Sequence, residues 1–180
     1  MTTAHSIVRR HGGHIRLQSQ PDTETTVRVY LPATDQAPSS VRPASEPGLR
    51  RFSGRALVMD DEPLVAQMAR ALLTDFGFEV EVVGDGAAAL MLYEKRMKEG
   101  RGFDVALLDL TVAGGMGGKE TMRRLLQLDP DARAIVSTGY ANDDLIREYR
   151  SHGFRGALAK PYRMRQLAEL LGRVLDESAD

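Results

Sequence analysis

The feature that most constrains this chain is a rhythm across residues 55–180, where short apolar runs alternate with stretches of helical periodicity. Ala56-Leu57-Val58-Met59, Val105-Ala106-Leu107-Leu108, Ala134-Ile135-Val136-Ser137 and Gly156-Ala157-Leu158-Ala159 are near-continuous apolar runs, while Phe78-Glu79-Val80-Glu81-Val82 alternates. Runs apolar at every position are strands buried on both faces, as in parallel sheets, and an alternating run is a more exposed strand. Between them the periodicity predicts helices over Pro63–Asp75, with apolar positions at Leu64, Val65, Met68, Ala71 and Leu72, then Gly86–Lys98, Lys119–Leu128, Asn142–His152 and Met164–Leu175. Parallel neighbours require crossover connections, so the expected fold is α/β: a doubly wound five-stranded parallel sheet with five helices.

Ahead of this segment the pattern disappears. Pro38, Pro43 and Pro47 with Ser39, Ser40, Ser45 and Gly48 make residues 33–54 a linker by composition, one that would span about 25 Å as a flexible coil and tether rather than pack. Residues 1–32 predict a helix over Ala4–His11, a stop at Gly12-Gly13 and two strands joined through Pro21-Asp22. Ile15 and Leu17 share one face of the first strand, Val27, Val29 and Leu31 one face of the second. A lone hairpin and helix bury too little surface to stand by themselves, so this part is expected to belong to something larger.

Composition removes several classes of chemistry. The absence of cysteine excludes disulfides, thiolate metal sites and cysteine nucleophiles. A net charge of -1 leaves no broad basic footprint for nucleic acid. No apolar window reaches the length of a membrane-spanning helix and the N-terminus lacks a signal-peptide plan, so neither nucleic acid nor membrane insertion is expected and the location is taken as cytoplasmic.

In open parallel sheets, ligands bind beyond the carboxyl ends of the strands. There the sequence places Asp60-Asp61-Glu62 after the first strand of the segment, Asp109 at the end of the third, Thr138 after the fourth and Lys160-Pro161 after the fifth. Converging carboxylates repel unless a cation neutralises them, and hard oxygen ligands without sulfur or paired histidines favour Mg²⁺, which also takes phosphate oxygens. Lys160 can pair with Asp109 in the free state and with a phosphoryl oxygen later, Thr138 can donate to another oxygen, and Asp109 is the natural nucleophile for an acyl phosphate. Each residue alone has a blander reading as a cap, turn or solvated strand end. Their joint placement at four strand ends favours the site.

The runs Leu57-Val58-Met59-Asp60-Asp61-Glu62, Phe103 to Leu110, Ile135-Val136-Ser137-Thr138-Gly139-Tyr140 and Gly156-Ala157-Leu158-Ala159-Lys160-Pro161-Tyr162 together resemble the receiver domain of two-component response regulators, over the whole of residues 55–180. The resemblance implies a flavodoxin-like fold and a phosphoacceptor that takes its phosphoryl group from the phosphohistidine of a histidine kinase or a histidine phosphotransfer protein. It implies Asp109 as acceptor, Asp61 as a direct Mg²⁺ ligand, Asp60 acting through a water, the Thr111 carbonyl as a further ligand, and Thr138, Lys160 and the Gly139 N–H as phosphoryl contacts. Residues 1–32 resemble the C-terminal tail of a histidine-kinase ATP-binding domain, through Ser6 to Ile15 and Thr25 to Pro32, and the two together resemble the end of a hybrid sensor histidine kinase. The ATP-binding and phosphodonor motifs are absent from this sequence, so the chain is expected to be a signalling protein rather than an enzyme and not to bind ATP.

Two departures from the receiver pattern carry expectations. The loop after Asp109 runs Ala113-Gly114-Gly115-Met116-Gly117-Gly118 and is expected to be loosely restrained. Ala157 stands where the family often has an aromatic, so a muted output switch and a monomer are expected, with Tyr140 able to cover part of the site. His5, His11, His14 and His152 read as surface residues. The competing reading is a phosphohydrolase of the haloacid-dehalogenase type, which places a second aspartate two residues after the nucleophile, where this chain has Thr111. Another is a degenerate receiver that only binds partners.

Overall fold

A computed structural model describes residues 2–20, 24–33, 50–139 and 147–176, and the chain divides into two compact units, Met1–Ser45 and Glu46–Asp180. In the first, helix α1 (Thr2–Arg10) precedes an antiparallel pair, β1 (His14–Gln20) and β2 (Glu24–Tyr30). The register sets Ile15 opposite Val29 and Leu17 opposite Val27, so the period of two puts these four on one face. Val8 of α1 is buried, whereas Leu17, Val27, Val29 and Leu31 stay about half exposed. The expected turn at Pro21-Asp22 lies outside the described residues.

The second unit contains β3 (Gly54–Met59), α2 (Pro63–Phe76), β4 (Phe78–Val83), α3 (Gly86–Lys98), β5 (Val105–Asp109), α4 (Gly118–Leu128), β6 (Ala134–Thr138), a 3-10 turn (Tyr149–His152), β7 (Gly156–Ala159) and α5 (Met164–Asp176). The strands form one parallel sheet in the order β4-β3-β5-β6-β7. This is the flavodoxin-like doubly wound fold expected from the rhythm. Of the helix expected over Asn142–His152, residues 142–146 lie outside the described residues; residues 147–148 are helical and Tyr149–His152 is the 3-10 turn.

Strand parity explains the two covered faces. Ala56, Val58, Val105, Leu107, Ile135 and Leu158 pack with α2 and α5 in one cluster. Leu57, Met59, Ala106, Leu108, Ala134 and Val136 point the other way, against α3 and α4. Runs apolar at every position are what two such faces require. β4, an edge strand, alternates, and its outward Glu81 accepts hydrogen bonds from Arg96 at 2.8 and 2.7 Å, with Arg55 3.4 Å away. Helix ends follow local rules: Pro63 opens α2, the Asp85 carboxylate accepts from the Ala88 N–H at the start of α3, and Gly77 closes α2 in the left-handed region. No helix among the described residues is long and apolar enough to cross a membrane.

The expected linker ends differently from its reading. Residues 34–49 lie outside the described residues, but Phe52 packs on the second unit, its ring 6.1 Å from Phe76 and 5.6 Å from Phe78, with its N–H bonded to the Phe76 carbonyl at 2.8 Å. Arg50 makes a two-pronged ion pair with Asp176 at the end of α5. The proline-rich composition that marks a coil does not extend to Arg50-Arg51-Phe52, and the aromatic finds the exposed rim of the core.

Candidate functional site

The strand order reverses between β3 and β5, and the carboxyl ends of these two strands flank the crevice there. β3 delivers Asp60 and Asp61 immediately beyond its last residue, and β5 ends on Asp109. Backbone bonds fix the rim: Asp60 N–H to the Val83 carbonyl at 3.1 Å, Leu110 N–H to Ser137 at 2.8 Å, and Lys160 N–H to Thr138 at 2.7 Å. The polar side chains therefore stand on ladder ends rather than on free loops.

Carboxylate oxygens of Asp60, Asp61 and Asp109 all lie within 4.8 Å of one another. Asp60 and Asp109 are buried and Asp61 is exposed. Lys160 donates to Asp60 Oδ2 at 2.6 Å and stands 3.1 Å from Asp109 Oδ1. Asp60 Oδ1 accepts from the Glu62 N–H at 3.0 Å, and Asp61 Oδ2 from the Ala113 N–H at 2.9 Å. Thr138, the last residue of β6, is 1% exposed.

Among the described residues, charge in this crevice is out of balance, with the Lys160 ammonium facing three acids. Burial pushes the Asp109 carboxyl above its ordinary value, with Lys160 pulling it down and Asp60 pushing it further up. For Lys160, burial favours the neutral form, but the bond to Asp60 and the charge of Asp109 outweigh it and leave its pKa raised. A divalent cation held by all-oxygen ligands would restore the balance, and a set of three clustered carboxylates open to solvent through Asp61 fits Mg²⁺.

The glycine loop departs from its expected looseness. Gly114 has φ +69° and open space around it, but a Cβ on Gly117 would stand 2.4 Å from the Leu110 carbonyl oxygen, and one on Gly118 2.6 Å from that of Asp109. Gly117 and Gly118 let α4 begin directly against the end of β5. Freedom in the unfolded chain is thus spent on close approach in the folded one.

Of the residues predicted from sequence, Asp60, Asp61, Asp109 and Lys160 come together at one strand-end edge, while Thr138 ends the neighbouring strand β6 and Gly139 follows it. Thr111 follows β5 by two residues; its amide acts on the Asp109 carboxylate and favours the charged form. Tyr140 lies outside the described residues. Ala157 is partly buried in the cluster under α3 and α4. His5, His11 and His14 are exposed and His152 intermediate, His11 Nδ1 lying 2.8 Å from the Ile7 carbonyl oxygen. One participant escaped the sequence reading: the Ala113 N–H that holds Asp61, for which no side-chain pattern exists.

Residues 56–172 match the sequence model of the response regulator receiver domain. The sensor kinase CckA of Brucella abortus is 27% identical over 185 residues, covering 98% of this chain and 19% of that protein. The sensor histidine kinase AruS of Pseudomonas aeruginosa is 31% identical over 174 residues, covering 93% of this chain and 16% of that one. The chain thus spans about a fifth or less of the length of these two relatives. The crystal structure of a CheY-like response regulator receiver domain protein from Methanospirillum hungatei superposes with a TM-score of 0.61 at 27% identity, covering 70% of this chain and 96% of that one.

Proposed function

The chain belongs to the response regulator receiver family, and from that membership we propose that it is the phosphoacceptor of a two-component phosphorelay, with Asp109 as the acceptor. Receivers are signalling phosphoacceptors rather than enzymes in the ordinary sense. The donor is the phosphohistidine of a histidine kinase or histidine phosphotransfer protein, and the location that goes with it is cytoplasmic.

The observation that carries this reading is the convergence of Asp60, Asp61 and Lys160 on Asp109. An ionised carboxylate is already a nucleophile, so no general base is required. One oxygen of Asp109 attacks phosphorus, the new P–O bond forms as the P–N bond to imidazole breaks, and the leaving nitrogen keeps the electron pair and takes a proton from solvent. Asp60, Asp61 and Asp109, with the Thr111 carbonyl, would hold Mg²⁺, which supplies charge neutralisation for the acceptor and the incoming phosphoryl oxygens. Lys160, 3.1 Å from Asp109, turns to the phosphoryl group as it arrives; Thr138 and the Gly139 N–H contact its remaining oxygens. The haloacid-dehalogenase reading lacks its second carboxylate, because Thr111 stands two residues after Asp109. A receiver without chemistry would have no use for the full set of Asp60, Asp61, Asp109, Thr138 and Lys160.

Intact mass after incubation with a small phosphodonor and Mg²⁺ tests the assignment. One added phosphoryl is expected in the native protein and none in Asp109→Asn; undiminished labelling of that variant overturns it.

The N-terminal unit supports a second, independent reading: it is the end of a kinase ATP-binding domain whose remainder covers the face of Leu17, Val27 and Val29. These side chains are about half exposed, and the similarity to CckA and AruS runs through this unit. Hydrogen exchange of residues 14–30 in this chain should be fast; strong protection would contradict the reading.

A further inference from the structure

Between α4 and the 3-10 turn runs a surface groove that none of the three aspartates lines. It has two lobes, which share Leu126, Arg150 and Gly153. One, of about 320 Å³, continues past Ala132 and Phe154 to Arg155. The other, of about 590 Å³, runs back along α4 past Arg123 to Lys119.

The chain as a whole has 24 basic and 25 acidic side chains, yet Lys119, Arg123, Arg150 and Arg155 line this groove against the single acid Glu120. Glu120 is already committed: it accepts from Arg123 at 2.8 and 2.6 Å and from Arg124 at 2.6 Å. Lys119 and Arg155 have no side-chain hydrogen bond or ion pair among the described residues. Lys119 also stands in the first turn of α4, where the helix dipole disfavours a cation. Fold stability alone therefore gives no reason for this concentration of like charge.

The floor selects among anionic ligands. Phe154 is 2% exposed, so its ring presents no face on which a nucleobase could stack, as single-stranded nucleic acids require. What both lobes offer instead is aliphatic, the partly buried Leu126. Lys119 and Leu126 lie seven residues apart, about 10 Å along a helix. With the lobe beyond Leu126, the groove suits an extended segment of about six residues.

We propose that this groove docks an acidic extended segment of a partner protein. Its carboxylates meet Lys119 at one end and Arg155 at the other, and an aliphatic side chain between them seats on Leu126. The cations steer the segment in and fix its direction, while the aliphatic contact slows its release.

The test titrates the full chain into a fluorescein-labelled peptide of about eight residues, glutamates around two leucines, and reads anisotropy. Saturable binding is expected, weakened about tenfold when salt rises from about 0.02 to about 0.2 M. Lys119→Glu and Arg155→Glu should each weaken it about tenfold, and Arg70→Glu, on the exposed side of α2, should not. A glutamate peptide without leucine should bind about tenfold more weakly. If a reversal lowers the melting temperature, Lys119→Gln or Arg155→Gln takes its place, with about threefold weakening expected. No saturable binding to the native chain, an equal loss in Arg70→Glu, or equally tight binding without leucine each overturns the proposal. So does tighter binding of a single-stranded oligonucleotide of equal charge, which would make nucleic acid the occupant.

Discussion

Gly118 lies so close to Asp109 that a methyl group on its Cα would stand 2.6 Å from the Asp109 carbonyl oxygen. The obstacle is backbone, which cannot swing aside as a long side chain would. Gly118→Ala should therefore lower stability by about 1–3 kcal/mol and slow labelling of Asp109, because relief comes by moving the end of β5. Urea melts and phosphodonor labelling check both effects; a variant unchanged in both would show the contact to be soft.

Lys160 neutralises two buried carboxylates at once. In Lys160→Met, Asp60 and Asp109 lose that partner, and the free protein should be destabilised by about 1–3 kcal/mol. Mg²⁺ then has more repulsion to relieve, so the thermal shift it produces should be larger than in the native chain. Melts with and without the ion measure this; a smaller shift in the variant contradicts it.

The hydrogen bond from Arg96 lowers the Glu81 pKa below its ordinary value of 4.5, with Arg55 adding to it against the opposing effect of burial. A depressed folded-state pKa contributes stability that is present above the unfolded value and lost as pH falls through the folded one. Glu81→Gln should therefore cost stability at neutral pH and flatten the loss below about pH 4.5. Parallel acid profiles of the two proteins would contradict this.

Phe52 fills the gap between Phe76 and Phe78. Phe52→Ala should lower stability by about 2–4 kcal/mol, well beyond what loss of a linker residue could do. A urea midpoint matching that of the native chain would return residue 52 to the tether.

Phosphorylation is expected to leave the chain monomeric, because Ala157 on the edge strand β7 offers no large side chain to rotate. Light scattering with Mg²⁺ and beryllofluoride measures this at micromolar concentration. A shift to a dimer overturns it.

The sheet was legible because burial on both faces leaves an unbroken apolar run, and all five strands lie where such runs or an alternating run predict them. The acidic cluster was legible for a related reason: a polar residue ending an apolar strand has no place in the core and must stand on its rim. Backbone donors were not legible, since the Ala113 N–H that holds Asp61 depends on a loop path that no side chain encodes. Gly117 and Gly118 were read as slack because composition cannot tell a glycine that gives freedom from one that gives proximity. Phe52 escaped for want of periodicity, its partners lying beyond the stretch in which it was read.

The Arg50–Asp176 pair joins the first described residue of the second unit to the last residue of its final helix. Entry and exit of the polypeptide are thus clasped together, and tension pulled across the two ends reaches this clasp before it reaches the sheet. Both partners are more than half exposed, so the clasp is mechanically weak. A pull on these two positions would therefore load an exposed ion pair before it loaded the parallel ladder.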